Sequence, residues 1–159
     1  MILVTLGTTL FPFDRPLKWV NDLIKEGLIQ EPLLIQYGAS DPEIVAGSSI
    51  EKKEYLSSQE MEQALKRARL VISHAGQGST RMLIKKGIPF VLVPRLQKYR
   101  EHIDDHQLKF CLAMAHFGVL GATEFDTFKK FYLNPPQINP NVFDKVPSLA
   151  TYLLQKYPA

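Results

Sequence analysis

Leu70-Val71-Ile72-Ser73-His74-Ala75-Gly76-Gln77-Gly78-Ser79-Thr80 is the stretch from which the rest of the chain can be read. Leu70 to Ser73, led by three apolar residues, reads as a buried strand. Two glycines and two hydroxyls follow. Met82, Leu83 and Ile84 then open an amphipathic run that ends at Gly87. The order is strand, glycine-rich turn, helix. A helix starting in such a turn points unpaired backbone N–H groups and the positive end of its dipole at one spot. Glycines let an anion approach those amides closely. The stretch therefore predicts a phosphate cradle at Gly76, Gln77, Gly78, Ser79 and Thr80, with His74 at its edge. The competing reading is a tight turn that merely happens to contain glycine.

Upstream of this centre, Ile2 to Leu6 is a short apolar run that reads as a central parallel strand ending at Gly7. Gly7-Thr8-Thr9 then lies at the C-terminal strand edge, where open α/β sheets bind ligands. Leu10-Phe11-Pro12-Phe13 puts large apolar residues in a loop, either tucked under the next helix or forming a cleft wall or interface. Leu17, Val20, Leu23, Ile24 and Leu28 make a helical stripe. Leu33 to Tyr37 is a second strand and Lys53 to Leu56 a weak third. Ser57 or Ser58 caps a helix through Ala68.

Downstream, Phe90 to Val93 is a further buried strand stopped by Pro94. Arg95 to Arg100 reads as a basic loop, followed by a long helix from about Glu101 to Phe117. Val119-Leu120 is a candidate last strand. Glu124 to Leu133 is helical, residues 134–141 form a proline-rich linker, and Val146 to Tyr157 is a final amphipathic helix. Strands alternating with helices imply one doubly wound α/β sheet with a C-terminal helical appendix.

The chain has 159 residues, 45% hydrophobic and 22% charged, which suits one soluble domain. The net charge of +3 fits an acidic ligand or an anionic surface, and no Lys/Arg block marks a nucleic-acid binder. The single cysteine, Cys111, reads as core and points to a reducing compartment. With no membrane-spanning run and no signal peptide, the expectation is a cytoplasmic protein held at a membrane, if at all, by something else.

A second informative stretch is Glu101-His102-Ile103-Asp104-Asp105-His106-Gln107. It follows a strand, so it stands at the same sheet edge as the cradle. Asp105, His106 and Gln107 offer the forked hydrogen bonds that sugar hydroxyls need, although acidic residues also suit any helix start. A zinc pair is the competing idea. His102 and His106 are four apart, but Ile103 stands where a His-Glu-x-x-His motif has glutamate, and a third ligand would have to be His74 or an Asp. A dinucleotide site fits poorly: the first strand is followed by Gly7 alone, and Arg81 stands where a third glycine belongs. Ser79 does not sit in Gly-x-Ser-x-Gly, which argues against a hydrolase nucleophile.

With both stretches in view, the chain resembles the C-terminal, donor-binding domain of family 28 glycosyltransferases of the GT-B type. It is most similar to the small, separately encoded subunits of bacterial polysaccharide glycosyltransferases. Their eukaryotic relatives are the catalytic half of the dolichol-linked GlcNAc transferase. Four segments carry the resemblance: Val4-Thr5-Leu6-Gly7-Thr8; Val71 to Ser79; Gly87-Ile88-Pro89 with Val93-Pro94-Arg95; and Lys98-Tyr99-Arg100-Glu101-His102-Ile103-Asp104-Asp105-His106-Gln107.

The resemblance implies a Rossmann-like parallel sheet over residues 1–122, half of a GT-B enzyme, with residues 123–159 as a helical extension packing on the domain or a partner. It implies a nucleotide-diphosphate sugar as donor, UDP-linked. Gly76 to Thr80 would hold the pyrophosphate with His74 beside it. Gly7, Thr8 and Thr9 would face the donor across the cleft, and Leu56-Ser57 would meet the base through backbone. Asp105, His106 and Gln107 would contact the sugar, and no metal or other cofactor is required. Many relatives hold the ribose with an acid near the position of Met82, which cannot do so. Glu101 is a substitute by position only. A GT-B enzyme has two such domains, so the resemblance also implies a membrane-attached partner subunit that binds a lipid-linked acceptor. The alternative is a non-catalytic nucleotide-sugar binding or regulatory module.

Overall fold

The computed structural model describes residues 1–141; the expected helix at 146–157 lies outside them. Five strands form one sheet: β1 (Ile2–Thr5), β2 (Leu33–Gln36), β3 (Ile50–Lys53), β4 (Leu70–His74) and β5 (Phe90–Val93). All are parallel, in the spatial order β3-β2-β1-β4-β5. Side chains alternate between two helical layers, as period-two strands must. Ile2, Val4, Leu33, Ile35, Leu70, Ile72, Val91 and Val93 pack on the face covered by α1 (Asp14–Lys25) and α5 (Phe125–Leu133). Leu3, Leu34, Val71, Phe90 and Leu92 pack on the face covered by α2 (Ser58–Arg67), α3 (Gln77–Lys86) and α4 (His106–Ala115). This is the doubly wound architecture read from the sequence.

Three boundaries differ from the reading above. The third strand is Ile50–Lys53, not 53–56, with Ile50 paired to Leu33. As an edge strand it carries Glu51, Lys52 and Lys53, charges that discourage pairing with another chain and erase the apolar signal. The long helix starts at His106 instead of Glu101. Arg100 takes a left-handed conformation (φ 58°) and closes a 3₁₀ turn at Gln97–Tyr99, and residues 101–105 continue as loop. Val119-Leu120 makes no strand; the contact is a single bridge between Leu92 and Gly121.

Helix α5 shares the core of the sheet. Phe128 is fully buried with its ring 5.3 Å from that of Trp19 on α1, and the Tyr132 hydroxyl donates to the Leu28 carbonyl (2.9 Å). Cys111 is core, its thiol pushed up to about 12 by burial and so unreactive. No helix among the described residues is long and apolar enough to cross a membrane.

Candidate functional site

The strand order places the topological switch point between β1 and β4. From β1 the chain winds outward through β2 and β3, then returns to lay β4 on the other side. Loops leaving β1 and β4 therefore diverge to opposite faces and leave a crevice at their C-terminal ends. His74 sits in that crevice. Its Nδ1–H donates to the Thr5 carbonyl (3.3 Å), and burial holds the imidazole down to about 4, so the ring is neutral at physiological pH. A Cβ on Gly7 would meet the ring at 3.0 Å, and one on Gly76 would meet Nε2 at 2.4 Å. Both glycines exist in part to admit this imidazole. At Gly76 this close packing gives the glycine of the turn a steric role.

Gly78 is different. It lies in the first turn of α3, and a Cβ there would meet no atom within 4 Å. No side chain caps α3, so the amides of Gln77, Gly78 and Ser79 lack a capping partner among the described residues. A groove of about 550 Å³, lined by Gly78, Arg81, Met82, Lys85 and Lys86, opens at this turn. A second groove of about 320 Å³, with Leu56, Met61 and Glu62, shares Met82 and Lys86 with it. The two follow one another from the α3 amides to Leu56 at the start of α2.

Two expected contacts are committed elsewhere. Thr80 is fully buried and its hydroxyl donates to the Gly76 carbonyl (2.9 Å), which turns it away from the groove. Ser57 is the N-cap of α2. Its hydroxyl accepts from the Glu60 amide (3.2 Å) and its own amide donates to Glu60 Oε2 (2.8 Å), a complete capping box that leaves only Leu56 free to meet a ligand. On the facing loop Thr8 is exposed, whereas Thr9 Oγ1 is buried without a partner.

The β5–α4 loop is built around Arg95, which is not part of an exposed basic loop. It is 1% exposed. Its guanidinium donates to the carbonyls of Leu6 (2.9 Å), Phe11 (2.7 Å) and Glu101 (2.9 Å), and stacks over Phe13 at 4.6 Å. Burial lowers it to about 10, with Glu101 opposing that shift, so it stays charged. Glu101 is also buried. Arg15 grips its carboxylate with two hydrogen bonds (2.9 and 2.8 Å) and the Leu96 amide adds a third (2.9 Å). Its oxygens are thus engaged, and the expectation that Glu101 contacts sugar or ribose is replaced by a positioning role.

Gln107 Oε1 accepts from the Arg95 amide (3.1 Å), which leaves its Nε2 without a partner among the described residues. Asp105 Oδ1 accepts from the Gln97 amide (2.8 Å). His106 is exposed and its Nδ1 hydrogen-bonds Asp104 Oδ1. The sheet edge thus gathers the Gly7 loop, the Gly76 turn and residues 105–107, and Arg95 ties the first of these to the last.

Sequence reasoning missed Gln36. It is 3% exposed and makes four hydrogen bonds: it accepts from Thr5 Oγ1 (3.0 Å) and the Gly7 amide (3.1 Å) and donates to the carbonyls of Gly7 and Glu54 (both 2.9 Å). It fixes the Gly7 loop from the β2 side. A glutamine closing an otherwise apolar strand was the only available signal.

Comparison with known proteins gives the family. The sequence model described as "Glycosyltransferase family 28 C-terminal domain" matches residues 1–125. The chain belongs to that family. Membership places this family 28 domain among the glycosyltransferases. No curated protein sequence matches significantly. Among solved structures, the NMR solution structure of ALG13 is similar over 96% of both chains, with 17% identity and a TM-score of 0.59. MurG of Acinetobacter baumannii is similar over 82% of this chain and 40% of its own (17% identity, TM-score 0.55). SnogD of Streptomyces nogalater is similar over 76% of this chain and 30% of its own (15% identity, TM-score 0.53). At these identities the likeness is one of fold. The family 28 chain spans well under half the length of SnogD and MurG.

Proposed function

We propose that this chain is the donor-binding half of a two-component glycosyltransferase. It takes a hexose or hexuronic acid from a UDP-sugar and passes it to a lipid-linked acceptor during polysaccharide assembly. The observation that carries the reading is the uncapped start of α3 beside the switch point, with open space above Gly78. A pyrophosphate there would accept hydrogen bonds from the amides of Gln77, Gly78 and Ser79 and be favoured by the helix dipole. His74 lies beside it as a neutral group that shapes the floor.

From that point the groove past Met82 leads to Leu56, which would meet the base. Thr8, across the crevice, and the Nε2 of Gln107, with Asp105 and His106, are the groups left for the sugar. Charge developing on the departing diphosphate would be stabilised by the same amides. The described residues form one α/β sheet, and in this reading the acceptor sits on a second, membrane-attached subunit. The exposed Leu10 suits that contact.

Calorimetry with UDP and a panel of UDP-sugars tests the donor site. UDP should bind one to one and raise the melting temperature at saturation. An unchanged melting temperature and no heat of binding would overturn the reading. Transfer activity that appears only when a membrane partner is added would separate it from the non-catalytic module.

A further inference from the structure

We propose that His102, Asp104 and His106 form a binding site for a divalent transition-metal ion of the zinc class. The sequence places the two histidines four residues apart, which on a helix would set them on one face. The structure brings them together differently. Residues 101–105 are loop, and this loop curls until one ligand atom from each of the three side chains lies within 4.8 Å of the other two. The third ligand is Asp104; His74 is occupied in the crevice with Thr5.

The geometry suits an ion. His102 Nδ1 is 3.4 Å from Asp104 Oδ1. Ligands about 2.0–2.2 Å from a tetrahedral zinc stand close to that distance from one another. His102 Nδ1 is buried and has no hydrogen-bond partner, and a buried imidazole nitrogen left in that state wants one. Its ring is held from behind by Phe11, with centroids 5.5 Å apart, and meets the His106 ring edge to face at 4.5 Å.

His106 Nδ1–H donates to Asp104 Oδ1. The ion would replace that proton, which passes to Nε2 or to solvent, and the exposed His106 would swing outward slightly to make room. Asp104 supplies the oxygen ligand. Two imidazoles and one carboxylate select zinc, cobalt, nickel or copper over magnesium or calcium. Three protein ligands leave a coordination position open to water or a ligand oxygen.

The site does not rest on the donor reading, and its test needs no UDP. The full chain is titrated with zinc by calorimetry and with cobalt(II) by visible absorption, with magnesium as the contrast. One equivalent of zinc should bind, cobalt should develop d–d bands, and the Nδ1 nitrogen-15 signals of His102 and His106 should move together. His102→Phe, which keeps a ring against Phe11, Asp104→Asn and His106→Gln should each weaken binding at least about tenfold. His116→Gln should leave it unchanged. Thermal melts of each variant separate lost ligation from lost folding. The proposal fails if zinc does not bind, if magnesium binds as well, or if only His106→Gln has an effect, which would mark a lone surface histidine. It fails equally if the His102 and His106 signals stay still, which would leave a proton as the sole guest of this cluster.

Discussion

Alanine at Gly76 and alanine at Gly78, two residues apart, should behave as opposites. At Gly76 the new methyl group collides with Nε2 of His74, a buried ring tied to the Thr5 carbonyl. Overpacking of that kind costs about 1–3 kcal/mol, seen as a lower urea midpoint. At Gly78 the methyl group enters open space on a helix, so stability should hold or rise by up to about 1 kcal/mol. The same methyl would stand over the free amides, and UDP affinity by calorimetry should fall at least about tenfold, roughly 1.4 kcal/mol. Unchanged affinity in this variant would move the diphosphate elsewhere. His74 adds a pH signature. An imidazole held down to about 4 in the fold and near its ordinary value of about 6.5 when unfolded favours the folded state in full above pH 6.5. That contribution drains away as pH falls from 6.5 toward 4, with about 2 kcal/mol gone by pH 5. Urea melts at pH 7 and pH 5 should show a drop in the wild type that exceeds the drop in His74→Gln. Parallel losses would show that the neutral ring is not its source.

Among the elements, the β5–α4 loop makes the sharpest prediction. Arg15 and Glu101 are both largely buried, 13% and 5% exposed at the side chain. Arg15→Met strands a buried carboxylate and should cost about 3–5 kcal/mol. Adding Glu101→Gln removes that charge while keeping an acceptor for the Leu96 amide, so the double variant should be more stable than Arg15→Met alone. Additive effects in the double-mutant cycle would deny the coupling. This loop also shows where the sequence stops being readable. The apolar runs of β1, β2, β4 and β5 declared themselves because strands buried on both faces need little else. β3 slipped by three residues because an edge strand with one apolar side chain has no pattern. Arg95 reads as one cation among several. Its partners are the carbonyls of Leu6, Phe11 and Glu101, which every residue type possesses. Glu101 is bound by Arg15, 86 positions away, a pairing no local pattern encodes. The strand–glycine–helix turn was legible, and so was a cap at Ser57 or Ser58; that Thr80 would turn its hydroxyl back onto the Gly76 carbonyl was not.

At the scale of the molecule, the crevice belongs to no single segment. It needs the β1–β4 ladder, from Ile2↔Leu70 to Thr5↔Ser73, and the Arg95 links that join the Leu6 and Phe11 carbonyls to the Glu101 loop. The ladder has a consequence during synthesis. When β1 to β3 have left the ribosome and β4 has not, one flank of Ile2-Leu3-Val4-Thr5 presents naked amides and carbonyls along an oily ribbon, the kind of edge that recruits neighbouring chains. Fragments halted between residues 54 and 69 should therefore collect in the insoluble fraction on overexpression, whereas a chain carried past β5 should stay in the supernatant. Equal recovery of both by sedimentation would mean that α1 and α2 shelter the nascent edge unaided.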